Sequence, residues 1–252
     1  MSQALGAENV DLGAGILVEL RGRKDAHELA LLRRANELTQ QAIHAAAERL
    51  QPGLSEREIG ARITRAQERL GLSGVWNLSL IGPSAAYPHG DGRGTQLSRG
   101  DLILVDTGGS FHGYASDNTR TWIFDGQPSE RISLAWHAVR DAQRAAFDAI
   151  RPGRACHEID RTARALIDAR GFGPGYRTFT HRLGHGIGME GHEDPYFDGG
   201  SQVLLAEGMT LSNEPGIYLY GEFGVRLEDI VVVTDSGADH FGSWQVSPLS
   251  PA

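Results

Sequence analysis

The sequence predicts a single α+β domain made of two halves that share one order of elements, two helices followed by strands. Apolar residues recur at three- and four-residue spacing over 25–50, and β-rich segments follow a second helix. The same order then returns, and an offset of 100 residues superposes Pro52-Gly53 on Pro152-Gly153. We interpret this repeat as a duplicated unit with pseudo-twofold symmetry around a central cleft.

The elements of the first half follow from local signals. Pro52-Gly53 ends the helix over 25–50, and Ser55 with Glu58 forms a capping box for a second helix that stops at Gly71. Three β-rich segments come next, VWNLSLIG, DLILVDTGG and YASDNTRTWIF.

In the second half, the sequence predicts helices at 128–150 and 155–170, followed by β-rich sequence to about residue 234. Residues 1–23 fit neither half and predict a structureless tail or the remnant of an interdomain linker, ahead of a domain over 24–252.

Composition excludes several classes of protein. The 252 residues are 40% hydrophobic, which is enough to bury a core, and 24 basic against 32 acidic residues give a net charge of -8 that disfavours nucleic acid as a partner. An N-terminus without a signal peptide and the lack of a long apolar run predict a cytoplasmic protein without a membrane partner. A single cysteine, Cys156, excludes an internal disulfide and a thiolate zinc cluster.

Two pairs of carboxylates point to metal. Asp106 and Asp117 flank a glycine-containing turn, and a hairpin centred on Phe111-His112 would bring them face to face. Glu214 and Glu228 lie symmetrically about Gly221 and would face each other in the same way. Anions held so close repel unless one is protonated or a cation lies between them.

Histidines supply the remaining donors. The segment HRLGHGIGMEGHEDP contains His181, His185 and His192 among glycines, and AYPHGDGRG places His89 in a turn. Each of these residues alone is more often an ordinary polar side chain than a functional one. Two Asp, two Glu and one His on paired hairpins nevertheless form a donor set for two divalent cations of the Mn, Co, Fe or Zn type.

The motifs PHG, VDTGG…GYASDNTRT, GHGIGMEGHE, NEPGIY and GVRLED together resemble the pita-bread (creatinase/aminopeptidase) metallopeptidases, which include methionine aminopeptidase, aminopeptidase P and prolidase. The resemblance implies the pita-bread fold and two divalent ions per chain, Mn first and Co, Zn or Fe as alternatives. In it Asp106 chelates one metal, Asp117 and Glu228 bridge, and His185 and Glu214 bind the other.

The form NEPGIY…GVRLED with PHG looks like the Xaa-Pro branch, which implies release of the N-terminal residue from peptides with proline second. Similar prolidases carry an Arg four residues after the second histidine, where this chain has Tyr196. That departure favours an aminopeptidase P-like enzyme, although Arg182 or Arg226 could substitute. The alternatives are an Xaa-Pro dipeptidase (prolidase), a methionine aminopeptidase and a peptide-binding pseudoenzyme.

The resemblance also implies roles for single residues. Glu214 would move the proton from the attacking water to the leaving nitrogen, His192 would stabilise the oxyanion, and His89 would hold the substrate. Further residues predicted on the substrate side are His181, Arg226 and Tyr196. The predicted partners are peptide substrates, and a homodimer is left open.

Overall fold

The computed structural model describes residues 14–252, and its elements follow the predicted order. The helices are α1 (Ala14–Gly22), α2 (Ala26–Ala47), α3 (Glu56–Arg69), α4 (Glu130–Ala149) and α5 (Cys156–Ile167). The strands are β1 (Ser73–Ile81), β2 (Leu102–Phe111), β3 (Tyr114–Ala115), β4 (Asn118–Ile123), β5 (Gly184–Gly186), β6 (Glu193–Phe197), β7 (Thr210–Asn213), β8 (Gly216–Leu219), β9 (Phe223–Arg226), β10 (Asp229–Val233) and β11 (Ala238–His240).

Side-chain caps set the starts of the first helices. Asp25 accepts from the backbone N–H groups of His27 and Glu28 at the start of α2, and Ser55 accepts from that of Glu58 at the start of α3. The lead-in that the sequence predicts to be structureless is helical in its described part, since residues 14–22 form α1. The rest of the predicted tail, residues 1–13, lies outside the described residues.

The two halves repeat one contact as well as one element order. Gly53 N–H donates to Leu97 O at 2.7 Å, and Gly153 N–H donates to Leu205 O at 2.8 Å. Both glycines have positive φ, 88° and 83°, a conformation that costs glycine little. Just before the second helix of each half, an isolated β-bridge is repeated as well. It joins residues 55 and 96 in the first half and residues 155 and 204 in the second. The repeat seen in the sequence is therefore a structural duplication.

The strands form two sheets and a hairpin that meet near the middle of the molecule. In the first sheet β2 pairs with β1, β3 and β4, the second has the order β11-β10-β7-β5-β6, and β8 pairs with β9. Helices α2 and α3 pack Ile43, Ile59 and Ile63 against the first sheet. An isolated bridge between Thr119 and Glu228 joins the halves where the candidate site lies.

Two smaller observations bear on the sequence expectations. Cys156 is fully buried, and burial raises the pKa of its thiol to about 11, so it is a core residue and a poor nucleophile. Among residues 14–252, no helix combines the length and the apolar character that a membrane span requires.

Candidate metal centre

The hairpin that carries the two aspartates differs in register from the expectation. Phe111 pairs with Tyr114, so the turn is His112-Gly113, and Asp106 pairs with Thr119. The predicted centre at Phe111-His112 was therefore wrong, and Asp106 and Asp117 are diagonal neighbours on one face of the sheet. Diagonal neighbours still interact, and oxygen atoms of Asp106, Asp117 and Glu228 lie within 4.8 Å of one another.

The hairpin that carries the two glutamates has the predicted register. Gly216 pairs with Arg226 in β8 and β9, which centres the turn on Gly221, and Asn213 pairs with Asp229 in β7 and β10. Glu214 and Glu228 lie between these paired segments, and donor atoms of His185, Glu214 and Glu228 lie within 4.8 Å of one another.

The imidazole of His185 faces carboxylates with its unprotonated nitrogen. Nδ1 lies 3.0 Å from Gly186 O, a hydrogen bond that assigns the proton to Nδ1. Nε2 lies 3.4 Å from Glu214 Oε1 and 3.6 Å from Asp117 Oδ2. Burial lowers the pKa of His185 to about 3, so the ring is neutral and these contacts are not ion pairs. A lone pair held against carboxylates requires a proton or a cation between them.

The carboxylates show the same deficit of positive charge. Burial, followed by the charges of neighbouring carboxylates, raises the pKa of Asp117 and of Glu228 well above its usual range, and burial raises that of Glu214 to about 7. Asp106 Oδ1 and Asp117 Oδ1 are buried and have no hydrogen-bond partner in the described part of the chain. Oxygen donors without partners, next to an imidazole nitrogen, fit divalent transition metals.

Neighbouring side chains hold the carboxylates from behind. Thr119 Oγ1 donates to Glu228 Oε2 at 2.6 Å, and Ser212 Oγ donates to Glu214 Oε1 at 3.1 Å. The guanidinium of Arg226, predicted on the substrate side, is buried and donates to Asp106 Oδ2 at 2.6 Å. Arg226 therefore orients a donor residue, and its contact with a substrate stays a prediction.

The other histidines surround this cluster. The ring centroid of His192 lies 3.8 Å from that of His185, and a donor atom of His192 lies within 4.8 Å of Asp117 and His185. His181 Nε2 lies 2.8 Å from Tyr218 Oη, and burial lowers the pKa of His181 to about 3, so this ring is neutral. His89 is exposed and lines the cleft in which this cluster lies.

The cleft has a volume of about 590 Å³ and an apolar wall that the sequence reasoning missed. Leu78 pairs with Asp106 and Trp76 with Gly108 across β1 and β2, so both apolar side chains share the face of Asp106. The two apolar residues alternate with polar ones along β1. This pattern indicates that they face the cleft only when the pairing of β1 with β2 is known. Tyr196, predicted to contact substrate, lines a neighbouring pocket instead, and the Arg182 guanidinium carbon lies 4.4 Å from its ring centroid.

A duplicated α+β unit with carboxylates and an imidazole between its halves defines a pita-bread protein with a candidate metal centre. The chain belongs to metallopeptidase family M24, whose family model matches residues 30–235. This confirms the resemblance and the fold class that the motifs predicted.

Relatives and solved structures agree with that assignment. The chain is 39% identical to a probable dipeptidase PepE of Mycobacterium bovis over 94% of this chain and 63% of that protein, and 36% identical to an Xaa-Pro dipeptidase of Pyrococcus furiosus over 88% and 64%. It thus spans less than two thirds of the length of these relatives. The crystal structure of dipeptidase PepE from Mycobacterium ulcerans superposes with a TM-score of 0.92 at 37% identity, covering 99% of this chain and 67% of that one. The structure of an X-Pro aminopeptidase from Thermotoga maritima superposes with a TM-score of 0.88 at 29% identity, and the match covers 96% of this chain and 73% of that one.

The raised carboxyl pKa values predict how the metal-free protein responds to pH. Because the pKa of Glu214 is about 7 in the folded protein, above its usual ~4.3, the stability that its protonation contributes is lost as pH rises through 7. Asp117 and Glu228 act in the same direction, because burial raises the pKa of each above its value in the unfolded chain. The two neutral buried histidines oppose this trend only below about pH 7, where an unfolded His is charged.

We therefore expect the free energy of unfolding in EDTA, measured by urea denaturation, to be lower at pH 8.5 than at pH 7. Saturating Mn²⁺ should abolish the decrease, because the cations stabilise the ionised carboxylates. A metal-free protein whose stability is constant or rises over this interval would contradict the assigned charge deficit.

Proposed function

We propose that this chain catalyses metal-dependent hydrolysis of the first peptide bond in peptides with proline second. The supporting observation is the floor of the cleft, where the unprotonated Nε2 of His185 and the oxygens of four carboxylates converge with more negative charge than the one guanidinium paired with Asp106, that of Arg226, can neutralise. The names of relatives such as the Xaa-Pro dipeptidase of Pyrococcus furiosus support proline at the second position.

Two overlapping donor sets support two metal positions. Asp106, Asp117 and Glu228 form one set, and His185, Glu214 and Glu228 form the other, so Glu228 is common to both. Asp117 Oδ2 also lies 3.6 Å from His185 Nε2, which supports a second shared carboxylate. When bound, a pair of divalent cations supplies Lewis acidity and lowers the pKa of an attacking water. Mn is the first choice of metal, and Co, Zn or Fe suit the same donors.

The chain's own residues then move the proton and hold the substrate. Glu214 Oε1 is held by Ser212 Oγ, which leaves Oε2 to take the proton of the attacking water and deliver it to the leaving nitrogen. His192 stands beside the cluster, where its imidazole can donate to the oxyanion. His89 is exposed at the cleft and can contact the substrate backbone. Trp76 and Leu78 provide an apolar wall against which a proline ring or side chain can pack.

Arg182 favours dipeptides over longer peptides. The sequence predicts an aminopeptidase because position 196 is Tyr, but packing places the exposed guanidinium of Arg182 over the Tyr196 ring, at the mouth of the cleft. Arg226 cannot take this part because its guanidinium is buried against Asp106. A planar guanidinium stacked on an aromatic ring is well arranged to bind a terminal carboxylate in two parallel hydrogen bonds.

The proposed activity is tested with Ala-Pro, Ala-Pro-Ala and Met-Ala-Ser in the presence of Mn²⁺, Co²⁺ or Zn²⁺. We expect cleavage of both proline peptides before proline, faster for Ala-Pro, and none after EDTA treatment. Cleavage of Met-Ala-Ser alone would indicate a methionine aminopeptidase. Protein that binds metal but cleaves no peptide would support the peptide-binding pseudoenzyme instead.

Metal stoichiometry separates donor residues from substrate contacts. Glu214→Ala removes a donor and the proton carrier, so we expect one metal per chain and no turnover. His89→Ala should keep two metals and lower kcat/KM by a factor of about 10². Elemental analysis after dialysis gives the stoichiometry, and loss of metal from the His89 variant would contradict its assigned role.

Arg182→Gln should act on the carboxylate of the substrate. Since a charge-assisted hydrogen bond contributes about 1.5–3 kcal/mol, we expect kcat/KM for Ala-Pro to fall by roughly one to two orders of magnitude. Ala-Pro amide, which lacks the negative charge, should be affected less than threefold, or about 0.6 kcal/mol. An equal loss on both substrates would show that Arg182 does not read the carboxylate.

A further inference from the structure

A buried ion pair joins Lys24, which follows α1 and Arg23 in the chain, to Glu193, the residue after His192. Lys24 Nζ donates to Glu193 Oε1 at 2.6 Å, and Arg21 donates to Glu193 Oε2 at 2.7 Å. The side chains of Lys24 and Glu193 are only 2% and 7% exposed. Withdrawing charges from water is costly, and a buried pair of this kind is better explained by a specific arrangement than by stability alone.

The packing around the pair leaves little freedom. A Cβ at Gly188 would lie 2.5 Å from Glu193 Oε1 and 2.9 Å from Lys24 Cε, so the pair crosses directly over a glycine of the loop between β5 and β6. Gly188 O accepts from Ala115 N at 2.8 Å, and Lys24 N donates to Gly208 O at 2.8 Å. A backbone hydrogen bond thus holds this loop against strand β3 at Ala115, two residues before Asp117. The ion pair lies over the same loop, and its lysine is fixed to Gly208 through the backbone.

The imidazole of His192 has few contacts that hold it in place. Its side chain is exposed, no hydrogen bond fixes it within residues 14–252, and its ring contacts that of His185 at a centroid distance of 3.8 Å. The next residue, Glu193, is held by two cations and pairs with Gly186, the neighbour of His185. The backbone that carries the His192 ring is therefore fixed on one side by the contacts of Glu193.

We propose that Lys24, assisted by Arg21, is a positioning residue for His192. By holding Glu193, Lys24 keeps the exposed imidazole beside the donor cluster, so that a segment outside the cleft sets the geometry of a group inside it. This inference rests on the proposed function, because the participation of His192 in peptide hydrolysis is part of that proposal.

The first test needs no activity. In the metal-free protein, the imidazole C–H resonance of His192 is identified by its loss in His192→Ala and compared in Lys24→Met, Lys24→Arg and the wild type. We expect Lys24→Met to shift or broaden this resonance and Lys24→Arg to restore it. Arg23→Met is the matched control, because Arg23 is adjacent but donates to Glu207 O instead. An unchanged His192 resonance in Lys24→Met would overturn the inference.

The second test is a double-mutant cycle with kcat and KM for Ala-Pro. Lys24→Met should lower kcat about tenfold, with KM within twofold and two metals retained, because a misplaced group costs rate more than binding. In the His192→Ala background the same change should cost less than twofold. An equal loss in both backgrounds, or loss of metal, would contradict the inference. If Lys24→Met does not fold, Arg21→Met replaces it, since that side chain is 35% exposed.

The two proposals fail in different ways. Metal-loaded wild-type protein that cleaves no proline peptide refutes the proposed function, whereas the resonance of His192 still reports on its tie to Lys24. Active wild-type protein with an additive cycle refutes the positioning role alone.

Discussion

Repulsion among four buried or half-buried carboxylates is the constraint on which the rest of the site depends. Asp117 and Glu228 are almost fully buried, and burial is the main reason that the pKa of each is raised. The negative charges of Asp106 and Glu214 raise both pKa values further. The charge of the Arg226 guanidinium, which binds Asp106, opposes these shifts, but one cation cannot neutralise the group. The duplicated architecture suits the proposed solution, because each half contributes one hairpin and the cations of the proposed function would be bound where the hairpins meet.

The two hairpins show what local sequence determines. Gly221, at the turn of the glutamate hairpin, has a φ of 81° and lies midway between Glu214 and Glu228 in the sequence. This symmetric spacing predicts the register in which the two arms of the hairpin pair. The aspartate hairpin turns at His112-Gly113 instead, with φ of 50° and 87°. A histidine with positive φ is unusual. The observed turn lies one position beyond the predicted centre, so Asp106 pairs with Thr119 rather than with Asp117.

Residues that act across the fold were harder to predict from the sequence. Trp76 and Leu78 reach the cleft only through pairing between β1 and β2. Tyr218 contacts Arg226 within the β8–β9 hairpin and reaches across to His181, which lies far earlier in the chain. The cation at the mouth of the cleft, Arg182, could be named only as an alternative for the same reason, because its place depends on packing between distant parts of the chain. Spacing after His192 leads to Tyr196, but the positive charge beside that ring comes from Arg182, fourteen positions earlier in the chain. The five predicted donor residues could be named because each lies in a short, chemically distinctive motif. The structure brings their donor atoms together in two overlapping sets, and their binding of metal stays a prediction.

Anomalous diffraction from crystals soaked in Mn²⁺ would show directly whether this cluster binds two metal ions. We expect two peaks in the cleft, one against Asp106 and one against His185 and Glu214, with Glu228 touching both. A single peak, or peaks confined to the surface, would contradict a two-metal centre.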